Sequence, residues 1–329
     1  MRWKPELEEL LRRARPRDGR PERVARARAT PAARTGRFSE GEGIAGQDLT
    51  IEDDVAVTGG LARIDSNVSF ADTSAVAVAA GATLELTGSN GYRGEFSGDG
   101  TVRHEGQALL GTLPVIASNF VQAGEITTFG IGGESQIATQ TLRFESGSET
   151  TLFGDLRVRG VTTIEDGSLW SGDGDLIVDE RARLEGAAVL GVDVINEGVV
   201  APGSSPGMLT IDGDYTQTGR LRIELGGTQP SVEHDVLSVL GRAELGGVLE
   251  MILTDGFVPA PGDSFDILGF GPAGVGGAFA ELDLPELGGS GFWDTSALYS
   301  AGRVTFVPEP GLAALLALGL AVLHSRRRR

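Results

Sequence analysis

From about residue 45 onward the chain is written in short runs that alternate apolar with polar residues, and Gly, Asp, Asn or Ser closes each run. Asp48-Leu-Thr-Ile-Glu, Val55-Ala-Val, Ala75-Val-Ala-Val and Gly81-Ala-Thr-Leu-Glu-Leu-Thr-Gly set the style. Thr141-Leu-Arg-Phe-Glu-Ser-Gly-Ser, Asp155-Leu-Arg-Val-Arg-Gly and Asp175-Leu-Ile-Val-Asp continue it. Alternation puts every second side chain on one face of an extended strand, so Leu84 and Leu86 share a face, as do Leu142 and Phe144, and Leu156 and Val158. The bounding residues are turn formers. The chain is therefore expected to be all-β, with many short strands.

Composition agrees. Gly supplies 50 of 329 residues, about twice the usual share, while aromatics are only 6%. Long helices are disfavoured, because an interior Gly costs about 1 kcal/mol relative to Ala. There is no cysteine, which excludes disulfides, cysteine nucleophiles and thiolate metal sites.

Two architectures suit strands of this kind. In a β-solenoid each coil buries its inner face by stacking on its neighbours, so short quasi-repetitive strands suffice. In a β-sandwich, strands also recur every 8–12 residues or so. The recurring Gly-rich turns, without Pro-rich hairpin connections, favour the solenoid over residues 45–250. About a dozen coils of roughly 20–25 residues would stack into a rod some 55–60 Å long at about 4.8 Å per coil.

A second signal lies in residues 198–255. Gly198-Val-Val-Ala-Pro-Gly-Ser-Ser-Pro-Gly-Met-Leu-Thr-Ile-Asp-Gly-Asp-Tyr-Thr-Gln leads into Gly219-Arg-Leu-Arg-Ile-Glu-Leu-Gly-Gly, Asp235-Val-Leu-Ser-Val and Leu245-Gly-Gly-Val-Leu-Glu-Met-Ile-Leu. Pro202-Gly203 and Pro206-Gly207 each join a fixed φ to a permissive residue and make tight turns. This stretch resembles the passenger-associated repeat of autotransporters. The resemblance implies a right-handed parallel β-helix, with the segment near its C-terminal end.

The chain ends on residues 307–329: Val-Pro-Glu-Pro, Gly311, an apolar run over 312–323, then His-Ser and four arginines. As a helix the run would rise about 18 Å at about 1.5 Å per residue, short against a hydrocarbon core of about 30 Å. The arginines would stay cytoplasmic and leave the preceding chain outside. Pro308, Glu309 and Pro310, a hydrophobic helix, and Arg326, Arg327, Arg328 and Arg329 together resemble the PEP-CTERM sorting signal of Gram-negative bacteria. That resemblance implies recognition by an exosortase, with residues 311–325 anchored in the inner membrane until the tail is removed near the tripeptide.

Charge is distributed unevenly. Residues 1–37 carry twelve basic and five acidic residues, whereas 38–325 carry twelve arginines against forty-one carboxylates, a net −29. Such a body repels phosphate backbones, so a nucleic-acid partner is not expected. Residues 1–37 lack the apolar core of a secretory signal and read as a basic, disordered segment or a start-site artefact outside the folded body. Four segments follow: 1–37, a β-solenoid over 38–255, a cap and linker module over 256–306, and the sorting tail over 307–329. In the third, Phe279, Leu282, Leu284, Phe292 and Trp293 are expected to cover the last coil. Residues 269–277 read as a flexible loop, and 288–291 with Ser300-Ala-Gly as a linker.

Candidate chemistry is sparse. Gly203-Ser204-Ser205-Pro206-Gly207 matches G-x-S-x-G, but Pro206 has no N–H for an oxyanion hole and a strand, not a helix, is expected next. His104, His234 and His324 lack metal-ligand spacing, and the first two read as solvated surface groups. Glu52-Asp53-Asp54, Asp173-Gly-Asp175 and Asp212-Gly-Asp214 read as turn-forming carboxylates, without an EF-hand loop or a calcium-binding Gly-Gly-x-Gly-x-Asp repeat. Lys4 is the sole lysine, which excludes a P-loop. No catalytic, cofactor or metal site is expected. The expected role is that of a non-enzymatic, exported surface or matrix protein, structural or adhesive in exopolysaccharide or biofilm. The alternatives are a polysaccharide lyase or hydrolase on a β-helix, and an autotransporter-like passenger adhesin.

Overall fold

The computed structural model describes residues 35–38, 43–45, 49–51, 54–65, 67–70, 74–92, 95–110, 119–128, 135–203, 206–286 and 291–309. The fold is all-β, with a single helical turn, Leu298–Ala301, among these residues. Strands pair in parallel throughout three long sets: a four-stranded sheet, an eleven-stranded sheet and a branched set of seventeen.

The branched set is two ladders joined by two long strands. Ser135–Phe144 and Leu156–Ile164 each pair twice, first through Ser135↔Leu156 and Leu156↔Leu176, then through Thr141↔Val161 and Val161↔Arg183. Beyond this join, strands of the two branches do not pair with each other among the described residues, so the set is not a barrel.

Chain order explains the pairing. Asp175–Val178 lies in one branch, Arg183–Gly186 in the other, and Val189–Leu190 in the eleven-stranded sheet. The next three strands, Asp193–Asn196, Val199–Pro202 and Met208–Ile211, stack on those three in the same order and in parallel. Tyr215–Gln217, Arg220–Leu225 and Val236–Val239 repeat the cycle. Parallel neighbours need a crossover connection, and here each crossover is made of the two strands between them. The arrangement is consistent with a solenoid. It is distinct from a β-sandwich, whose sheets are antiparallel.

Alternation places one residue row inside. Leu84, Val102, Phe120, Leu142, Thr162, Leu184, Val200, Leu221 and Leu249 follow one another in register and are all buried. Each apolar member contributes about 1.5–3 kcal/mol on burial. A lone coil has no partner for this row, so stacking and core formation are one event.

Glycine sits where successive coils approach most closely. A Cβ on Gly106 would lie 2.1 Å from the Gly88 carbonyl oxygen, and one on Gly124 would lie 2.1 Å from that of Gly106.

The C-terminal part departs from the sequence reading in several places. The ladders run past residue 255: Leu268–Phe270, Val275–Gly277 and Glu281–Asp283 add one more cycle of parallel strands. Residues 269–270 and 275–277 are thus strand, held by main-chain ladder bonds, and only 271–274 between them form a turn. Ser264–Asp266, Arg303–Pro308 and Gly291–Asp294 then form a three-stranded antiparallel sheet. Phe279 is buried, and Leu284 and Trp293 pack against the core, but Leu282 and Phe292 are exposed. Ser300 and Ala301 belong to the helical turn, and Gly302 ends it at φ 67°, so this stretch is a C-cap rather than a linker. At the other end, the 37/38 boundary falls inside the strand Thr35–Phe38, which pairs with Asp54–Val57. Residues 1–34 and the apolar tail lie outside the described residues.

Candidate functional site

One surface groove follows the corner between one branch and the eleven-stranded sheet. Its volume is about 550 Å³, and Gly88, Gly106 and Gly124 are among the residues that line it. Its rim is one outward row of the eleven-stranded sheet, repeated coil by coil. Asn67 accepts a hydrogen bond from the Ser89 N–H at 2.8 Å. Ser89 pairs in register with Gln107, Gln107 with Glu125, and Glu125 with Glu149. The Gln107 amide donates to Glu125 at 2.8 Å. The same row continues as Leu169 and Val189, which are 60% and 56% exposed. One face thus presents amide, hydroxyl and carboxylate groups, then an apolar stretch, at one-coil spacing of about 4.8 Å.

Most described cations of the body are engaged by carboxylates. Arg103 forms two 2.8 Å hydrogen bonds to Glu145 two coils along and also reaches Glu105 at 3.0 Å. Those bonds hold the Glu145 carboxyl below its ordinary value and raise the guanidinium. Arg157 spans coils in the same way, to Glu197 at 2.5 Å. Arg63, Arg143, Arg159 and Arg183 also pair with carboxylates. Each exposed pair contributes about 0.2–1 kcal/mol, so their larger effect is on the surface, where excess charge is negative.

A smaller cavity of about 280 Å³ is lined by Arg183, Glu185, Gly203, Glu224 and Asp235, among others. Asp235 is buried and accepts the Gly207 N–H at 3.0 Å and the Glu224 N–H at 2.9 Å. Burial pushes its carboxyl up to about 7, against the pull of those two N–H groups. Asp235 thereby ties the Pro-Gly turn to the adjacent strand. The single cation of the cavity, Arg183, is bound to Glu185 at 2.7 Å.

Sequence-derived candidates distribute as follows. Pro308 ends the strand Arg303–Pro308 and Glu309 follows it. Pro310, Arg326, Arg327, Arg328 and Arg329 lie outside the described residues, as do Ser204, Ser205, Glu52, Asp53 and His324. After Gly207 comes the strand Met208–Ile211, as the reading of that motif as a turn expects.

Both described histidines correct the sequence reading, because both are fully buried. His104 lies 3.4 Å from the Asn90 amide, and burial lowers it to about 4. His234 sits between the carbonyls of Gly227 and Asp266, at 3.1 and 3.3 Å. Its neutral ring has one N–H to donate, and burial lowers its pKa too.

Corner aspartates have a definite job. Asp155 accepts the Asp175 N–H, Asp193 the Asp214 N–H, and Asp214 the Arg242 N–H, at 2.7–3.1 Å. Each carboxylate thus caps backbone one coil on. Their mutual proximity, after burial, raises Asp175. Among the described residues no group of three or more His, Asp or Glu side chains is placed to hold a metal. No helix of the described residues is long and apolar enough to cross a membrane.

No protein-family model matches this chain, and no curated protein matches it.

Proposed function

We propose that this chain is an exported structural or adhesive rod: a right-handed parallel β-helix closed at its C-terminal end by the antiparallel sheet and delivered by residues 307–329. The observation that carries the reading is the outward row from Asn67 to Val189. Residues spaced one coil apart along a stiff parallel stack make weak contacts additive through multivalency, without any one residue serving as the site. Handedness follows from the strong preference of parallel crossovers for the right-handed sense. The acidic surface, with most of its described arginines in ion pairs, favours solubility and polar contacts with neutral glycans over binding of acidic ones.

Export rests on the resemblance of Pro308, Glu309, Pro310 and the terminal arginines to an exosortase signal. The partners proposed are therefore an exosortase, transiently, the inner membrane through residues 311–325, and exopolysaccharide at the cell surface. A hydrolase or lyase reading would have to use the Asp235 cavity, whose only arginine is already bound to Glu185.

Mass spectrometry of the protein recovered from native cells and medium tests the proposal. The expected species starts near Thr35, ahead of the strand paired with Asp54–Val57, and ends near residues 308–310, and replacing the four terminal arginines with alanine abolishes that processing. Recovery of the intact chain from cytosol alone overturns it.

A further inference from the structure

Inside the rod, the structure handles buried amides in two different ways. Asn196 and Gln217 are register partners on adjacent coils, and the Asn196 amide donates directly to the Gln217 carbonyl at 2.7 Å. It also donates to the Arg220 carbonyl at 3.0 Å, and Tyr215 closes the cluster by donating to Gln217. Stacking thus pairs one amide atom of each residue, and the Asn196 Oδ1 and Gln217 Nε2 atoms are left over.

Gln122 stacks between His104 on the preceding coil and a phenyl ring on the next. It is fully buried, its register partner on the next coil is Phe144, and neither its amide nitrogen nor its amide oxygen has a hydrogen-bond partner. Phe144 meets the Trp170 ring edge-on, with centroids 4.6 Å apart. Trp170 in turn pairs in register with Thr150. The Trp170 indole N–H, the Thr150 hydroxyl and the nearby Ser148 hydroxyl are buried without partners as well. Three successive coils thus bring a primary amide, two hydroxyls and a donor-only indole to the surroundings of one phenyl ring.

We propose that this interior locus is a binding site for water, held by Gln122, Ser148, Thr150 and Trp170. The chemistry selects the guest. Indole N–H only donates and needs an acceptor, whereas the Gln122 oxygen needs a donor. A single water supplies both and still has capacity for a hydroxyl. Buried polar groups are nearly always satisfied, and ordered water is the usual partner where protein provides none. A larger guest has no ready route to side chains that are at most 5% exposed.

A high-resolution crystal structure of the full chain tests the site. Ordered water within about 2.7–3.2 Å of Trp170 Nε1 and of the Gln122 amide or Thr150 hydroxyl is the expected result. A dry interior, or a Gln122 amide turned onto a main-chain carbonyl, overturns the proposal. Water oxygen-17 relaxation dispersion gives a second readout in solution. Gln122→Leu should lose at least one long-lived internal water relative to the unaltered chain, and an unchanged number in a folded variant contradicts the site. If that variant does not fold, the crystal structure of the unaltered chain decides.

Discussion

Gly106→Ala should cost about 3 kcal/mol of unfolding free energy, although the substitution adds one methyl group. The new Cβ would stand 2.1 Å from the Gly88 oxygen and 2.5 Å from the Thr87 oxygen, both main-chain atoms that cannot swing aside. Relief requires separating two coils that are held by the hydrogen bonds from the Glu105 N–H to the Leu86 carbonyl and from the Gln107 N–H to the Gly88 carbonyl. Overpacking of this kind costs about 1–3 kcal/mol and occasionally more, and the upper end applies where backbone must move. Gly81 is the control. Its φ is +75° but nothing lies within 4 Å of its Cβ position, so Gly81→Ala pays only for a left-handed backbone, about 1–2 kcal/mol. Urea unfolding of the two variants checks the order. A Gly106→Ala cost no greater than that of Gly81→Ala would show that the coils are not in this contact.

The second large effect is expected at Phe265. This side chain is fully buried in the antiparallel sheet, and its ring meets His234, Phe257 and Trp293 at centroid distances of 5.5–6.0 Å. Phe265→Ala should cost about 3–5 kcal/mol, the range for truncating a buried aromatic. The ring bridges the antiparallel sheet and the final coils, so the loss should concentrate at that end. Limited proteolysis of the variant is expected to remove residues beyond about 260 first and leave the ladders upstream protected. Uniform digestion along the chain would show instead that the antiparallel sheet does not protect the stack locally.

Much of the architecture was legible because period-two alternation is a local property. The runs at Leu84, Leu142, Leu156 and Leu176 could be read as strands without knowing their partners. Pairing could not be read in the same way, since register steps vary from 16 residues at Leu184↔Val200 to 33 at Val248↔Glu281. Coil corners absorb insertions, so the repeat has no fixed period to detect.

The histidines carry two opposed signals. His104 neighbours Glu105, which suggests solvent, yet it shares strand parity with buried Val102. Parity also places Gln122 with Phe120, Asn196 with Val194, and Gln217 with Tyr215, all on the inside. Residue chemistry argued for the surface and position argued for the interior, and position prevailed because a strand locked into two ladders cannot rotate one residue outward. The two ends of 269–277 show the opposite case: their glycines signal a loop locally, while their pairing partners lie about thirty residues upstream. The groove and the Asp235 cavity were not legible, since both depend on which coils become neighbours.

The absence of cysteine from the sequence makes distance measurement direct. Thr141, Val161, Arg183, Val199, Arg220, Val248 and Glu281 follow one another in register along one branch. Spin labels on Thr141→Cys paired with Val248→Cys, and on Thr141→Cys paired with Glu281→Cys, lie five and six coils apart. At about 4.8 Å per coil the Cα separations should be about 24 and 29 Å. Double electron–electron resonance should therefore show the second pair about 5 Å longer than the first, even though 33 residues separate Val248 from Glu281. Separations that do not grow by one strand spacing per coil would contradict the parallel stack on which the proposed rod depends.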